Sequence, residues 1–376
     1  MLRKLLLIPF LSLALIASGC GLRLETEIDE TYSPDVEESA RRGALEQTER
    51  IENLARTALE ILKDNPEIPL VASASSTADT DDTESDINHD ELRDLLNTIA
   101  KNASQQAIAL QPDNDAASSE SGTSAPTSDT SDESNGPEDA ELTVEDNSNR
   151  DEFDDETALD IRPLLTQLET GAFQRMSDTA IVTAPLARLL GSISAAQAFD
   201  AIQLRAFVQQ QEDIDEEQEA IEAGFSNIPR LKDTVDASGD WSATIGRIDR
   251  IGYLMEILAA DNHASQKDLR NQAEDYRDWA QDWTTALGLS GSASDPRQAV
   301  YPTPSLSDDG SNNSEALETE IAEQLQELSY DFAQLLYELP EAERATAIRE
   351  LINVLPEMQR WDVPTHGLPG LEEHGS

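Results

Sequence analysis

Apolar side chains recur every three to four positions along much of this 376-residue chain, and the stretches between them are polar and acidic. Ile51, Leu54, Ala55, Ala58, Leu59 and Leu62 fall on one helical face. Ser33-Pro34 supplies the start signal, with Ser as cap and Pro at the first helical position, and Asn65-Pro66 supplies the stop. A second amphipathic helix is predicted from about Asp90 to Leu110, with Leu92, Leu95, Leu96, Ile99, Ala103, Ala107 and Leu110 on one side. The two stripes predict an antiparallel, coiled-coil-like hairpin over 33–111. Its halves are joined by a linker at 65–87 that holds six acidic residues and no basic one.

The main α-helical domain is read at 156–363. Ile161, Leu164, Leu165 and Leu168 predict a short helix ending near Gly171. A longer one starts at Thr183-Ala184-Pro185 and runs through Leu189, Leu190, Ile193, Phe199, Ile202 and Phe207 toward the acidic residues 213–222. Ala187, Gly191 and Ala195 stand four apart, so a neighbouring helix can approach closely there. Pro185, Arg188 and only moderate hydrophobicity make this a buried core helix rather than a membrane span.

Asp240 is expected to cap the next helix, whose stripe is Ile245, Ile248, Ile251, Leu254, Met255 and Leu258. Ser265 is expected to cap another, with Leu269, Ala273, Tyr276, Ala280, Trp283 and Leu287 inward. After a loop at 288–314, Ser314 caps a helix through Ile321, Leu325, Leu328, Phe332, Leu335 and Leu336, and Pro340 starts the last one, with Ala347, Ile348, Leu351, Ile352 and Leu355 inward. Residues 364–376 carry Gly and Pro and are expected to form a flexible tail. No run alternates apolar and polar residues, so the chain is predicted all-α, a multi-helix bundle with long disordered acidic linkers.

Charge sharpens this picture. The chain holds 76 acidic against 26 basic residues, a formal charge of -50, which excludes binding to nucleic acid or anionic lipid through a basic surface. Residues 112–160 contain seventeen acidic residues and one basic, Arg150, so disorder is expected over a linker at 112–155. Only five of the basic residues are lysines, and a lysine-poor acidic surface resembles those of proteins from saline habitats.

Arg3 and Lys4 precede an apolar run from Leu5 to Ile16, and Ala17-Ser18-Gly19-Cys20 follows it, the layout of a secretory signal. This segment resembles the lipobox of bacterial lipoproteins, with Ala17 where Leu is more common. The resemblance implies a signal peptide at 1–19, cleavage before Cys20, and acylation of its thiol and new amino terminus, palmitate-type chains among them. Cys20 is the only cysteine of the chain, which leaves no intrachain disulfide. Several acyl chains exceed the marginal affinity of a single one. Gly21 stands where Asp would resemble an inner-membrane retention signal, so outer-membrane attachment facing the periplasm is expected, with 20–32 as a lipid-anchored tether. The resemblance covers about twenty residues and implies nothing for the rest.

The remaining chemistry is sparse. His89, His263, His366 and His374 form no metal-binding spacing, and no metal or other cofactor is expected. Neither a nucleophile-elbow serine nor a phosphate-binding glycine loop occurs. Trp241, Trp279, Trp283 and Trp361 are mostly core by their spacing; Trp279, one place off its helix's stripe and beside the charged Arg277 and Asp278, is singled out as a partner contact. The expected function is a non-enzymatic interaction or scaffold component of the bacterial envelope, held on the membrane by its lipid anchor and bound to an envelope protein. A helical binding module for a small or lipidic ligand, and a carboxylate-dependent envelope hydrolase, are the alternatives.

Overall fold

A computed structural model describes residues 35–66, 68, 70, 88–111, 158–209, 241–261, 266–304 and 313–371. The signal peptide, Cys20 and the tether lie outside the described residues. So do the linker at 112–155, the acidic stretch 213–222, the cap residues Ser33, Asp240 and Ser265, and His263 and His374.

Among the described residues the chain is all-α. Its helices are α1 (Val36–Asp64), α2 (His89–Leu110), α3 (Arg162–Asp178), α4 (Ala184–Gln209), α5 (Ser242–Asp261), α6 (Gln266–Ala286), α7 (Asn313–Glu338) and α8 (Arg344–Arg360), the last preceded by a 3-10 turn at Glu341–Glu343. An isolated parallel bridge between Leu70 and Leu159 is the extent of β-pairing among these residues. The helices pack as successive hairpins, α1 with α2, α3 with α4, α5 with α6 and α7 with α8.

Helix α4 joins these hairpins. From Leu190 to Ala201 every residue is buried, so this helix is covered on all sides rather than along one stripe. Ala187, Leu190 and Ile193 pack with Ala40, Ala44 and Leu110 of the first hairpin. Ala201 and Leu204 pack with Ile51, Leu96 and Leu164. Ala195, Ala198 and Phe199 belong to the cluster that holds Trp283, Phe332 and Leu351. The spacing of small residues acts as expected at Gly191, where an added Cβ would stand 2.5 Å from Leu336 Cδ1. No described helix is long and apolar enough to cross a membrane.

Four expectations are corrected. The region 33–111 is not a separate hairpin domain, because Val36–Ser376 clusters as one compact unit and α1 and α2 pack on α3 and α4. The start of the acidic linker at 65–87 belongs to the core, with Ile68 and Leu70 buried in one cluster with Leu159 and Ile161. Helix α3 does not stop at Gly171 but runs to Asp178; the missing side chain instead admits Gln197 of α4, whose Oε1 would lie 2.5 Å from a Cβ there. Helix α7 begins at Asn313, so Ser314 lies inside it rather than capping it.

The tail also differs from expectation. Residues 364–371 are not free: Gly367, Pro369 and Gly370 are buried and take hydrogen bonds from α2 and α4. The turn from α3 to α4 is fixed in a similar way, by buried Arg344 of α8, whose Nη1 donates to the carbonyls of Thr179 at 2.6 Å and Val182 at 2.9 Å.

Candidate functional site

Buried charges come first, because each costs several kcal/mol unless it is matched. Asp249 of α5 is 3% exposed. Its Oδ1 accepts Arg277 Nη1 of α6 at 2.6 Å, and its Oδ2 accepts the Tyr301 hydroxyl at 2.6 Å and the Gln298 amide at 3.3 Å. Arg277 also lies over the Tyr253 ring, 5.7 Å from its centroid. This knot fastens the loop at 288–304 to α5 and α6, and burial together with the Asp249 carboxylate pushes the Tyr301 phenol upward. In the same loop Arg297, which also bonds Gln281, holds the Asp295 carboxyl well below the usual carboxylate range. Arg247 of α5 meets Asp331 of α7 at 2.9 Å, and Arg250 meets Glu320 at 2.7 Å. These carboxylates are struts: their oxygens face guanidinium, amide and hydroxyl groups of neighbouring elements.

A polar layer runs through the core beside α4. Gln197 Nε2 donates to Gln106 Oε1 at 3.0 Å and to Thr48 Oγ1 at 3.4 Å. Asn102 Nδ2 approaches both oxygens of Asp200, at 3.3 and 3.4 Å. Burial pushes the Asp200 carboxyl up to about 7, and the Asn102 amide offsets only part of that rise. His366, half-buried, is shifted downward by burial and by Lys101.

A cleft of about 610 Å³ opens where four helix ends meet. Leu258 of α5, Leu269 and Gln272 of α6, Glu318 of α7, and Arg360 with Trp361 at the end of α8 line it. Two of its lining residues each hold a polar atom, Trp361 Nε1 and Gln272 Oε1, that is shut off from solvent without a hydrogen-bond partner. Arg360 is tied to Glu357, at 2.8 and 2.9 Å, and Asp268 and Glu318 are exposed on the rim. The cleft therefore offers an indole, two amides, a guanidinium and two carboxylates over an apolar floor of Leu258 and Leu269. Such a surface suits a polar partner better than a lipid tail.

Trp279, expected as a partner contact, is half-buried and packs against the core cluster. Its ring stacks on Phe332 at 5.8 Å with 22° between planes and meets Tyr276 at 5.8 Å. Position 279 is one helical turn beyond Tyr276, which keeps it on the inward face. Trp241 and Trp283 are buried and meet edge to face at 5.6 Å, as their spacing suggested. Trp361, grouped with the core aromatics by sequence, is half-buried against the core cluster and also lines the cleft. Cys20 lies outside the described residues. Among the described residues no group of three or more His, Cys, Asp and Glu side chains is placed to hold a metal ion.

Sequence reasoning did not single out Gln272, Glu318 or Arg360, because residues that meet only at helix ends leave no local pattern. The buried layer had a readable signal, since Gln197 and Asp200 interrupt a stretch otherwise made of small and apolar residues.

Fold and site together define a class only as broad as an all-α multi-helix protein. No protein-family model, curated protein or solved structure matches the chain.

Proposed function

We propose that this is a lipid-anchored protein of the bacterial envelope that acts without catalysis, as an interaction or scaffold component docking an envelope protein through the cleft at the α5–α8 ends. What supports the docking reading is an open cleft whose lining residues mix an indole, amides, a guanidinium and carboxylates over an apolar floor. The exposed Asp268 and Glu318 on the rim favour a partner with basic residues there, in keeping with a chain of charge -50. The anchor rests on the lipobox-like segment ending at Cys20, and Gly21 supports an outer-membrane position facing the periplasm. The mixed lining weakens the alternative of a lipidic ligand.

A photocrosslinker at position 272, introduced in the native cell, tests the docking reading. The expected result is one adduct of defined mass that Glu318→Lys reduces at least fivefold, with no adduct from the exposed position 97 on α2. Equal crosslinking from both positions, or an adduct indifferent to Glu318→Lys, contradicts it.

A further inference from the structure

The segment after α8 is held by its backbone. Gln106 Nε2 of α2 donates to the Gly367 carbonyl at 2.9 Å, and Gln105 Oε1 accepts the Gly367 amide at 3.2 Å. Ser192 Oγ of α4 donates to the Pro369 carbonyl at 2.8 Å, and Arg188 Nη2 donates to the Gly370 carbonyl at 3.2 Å. Gln106 and Ser192 are buried donors, 1% and 0% exposed, so this is a built site rather than a surface contact. Main-chain groups of three residues are thus read by side chains of two helices, the arrangement by which proteins bind extended peptides.

Two positions admit only glycine. A Cβ at Gly367 would stand 2.6 Å from the Asn102 carbonyl oxygen and 2.9 Å from its Cα. At Gly370, with φ of 71°, a Cβ would stand 2.5 Å from the Ser329 carbonyl oxygen and from Ala333 Cβ of α7. Between them Leu368 packs on the cluster of Ala40, Leu110 and Leu190, and Pro369 is buried. The Leu371 amide donates to the Leu368 carbonyl at 3.1 Å. With Pro second and a positive-φ Gly third, this is a tight turn of the kind that short peptides form by themselves. The segment leaves α8 through Asp362, a non-glycine residue at φ of 53°.

We propose that the channel between α2, α4 and α7 is a peptide-docking groove that reads Gly-Leu-Pro-Gly through its main chain, with the chain's own residues 367–370 as its resident, separable occupant. The local turn preorganises the segment and lowers the ordering cost of binding. Tethering gives it a millimolar-range effective concentration, so it holds the groove against an equivalent peptide in solution. The groove shares no lining residue with the cleft and does not depend on the anchor.

The test uses the full chain and a labelled synthetic peptide of residues 363–371. In Gly367→Val/Gly370→Val the tail cannot seat, and the expected results are unchanged helical circular dichroism, faster hydrogen exchange confined to 364–371, and peptide binding by fluorescence anisotropy. The wild-type chain, its groove filled, should bind the same peptide at least ~100-fold more weakly. Adding Gln106→Ala to the variant should weaken peptide binding several-fold, and a peptide with Gly367→Ala should not bind. A variant that stays helical yet takes up no peptide at millimolar concentration overturns the proposal. Loss of helical signal in the variant also overturns it, since the tail would then be a fixed part of the core.

Discussion

Asp200→Asn replaces a buried carboxyl by a neutral side chain of the same shape and leaves the Asn102 amide an oxygen to bond. Burial holds the Asp200 carboxyl at about 7, against 3.8 for an ordinary aspartate. The folded state therefore binds this proton more tightly than the unfolded chain does. Its stabilising contribution is full below the unfolded value and is lost as pH rises through the folded one. The whole difference corresponds to at most ~4 kcal/mol, of which roughly 2–3 kcal/mol falls between pH 5 and pH 8. Structural relaxation reduces this, so a change of about 1–3 kcal/mol is expected. The assay is urea unfolding, followed by circular dichroism, of both proteins at pH 5 and pH 8. Other carboxylates contribute equally to each and cancel in the comparison. Asp200→Asn should be the more stable protein at pH 8, with its advantage shrinking by that amount at pH 5. An advantage that is the same at both pH values, or a variant less stable at pH 8, refutes the reading of Asp200 as a carboxyl held neutral by burial.

Gly191→Ala gains helix propensity but drives a methyl into Leu336 and Ile348, both fully buried, so a net loss of about 1–2 kcal/mol is expected in the same unfolding assay. Tyr301→Phe leaves Asp249 without its short hydroxyl donor and should cost about 1–2 kcal/mol, with hydrogen exchange at the Gln298 amide rising at least fivefold. Setting aside 1–19, 65–87 and 112–160, the rest of the chain carries 53 acidic against 23 basic residues. The Debye length falls from ~30 Å at 0.01 M to ~3 Å at 1 M salt. The thermal midpoint of the full chain should therefore rise steadily across that range of sodium chloride, and sulfate at equal ionic strength separates screening from apolar salting-out.

The helices were readable where one face alone is buried. In α1, α2 and α6 the apolar residues mark that face directly, as with Leu92, Leu96 and Ile99. Helix α4 was readable as core because polar residues are too few along it to form a solvent face, and the small residues around Gly191 signalled its close neighbour. Domain organisation was not readable, because a long acidic stretch fixes only distance along the chain; α1 and α3 meet through residues such as Gln47 and the Gln167 carbonyl, 120 positions apart. Glycine misled in both directions. Gly171 looked like a helix stop and is a helix contact, and Gly367 and Gly370 looked like markers of flexibility but are required by close neighbours. The cleft was not readable because its residues come from four helix ends whose meeting depends on the whole packing.

The central claim, a chain held to the envelope by lipid on Cys20, is tested most directly by metabolic labelling with a fatty-acid analogue in the native cell. Wild-type protein should carry the label and fractionate with outer membrane, while Cys20→Ser should lose the label yet keep the helical spectrum. Equal labelling of both proteins, or none on either, contradicts the account.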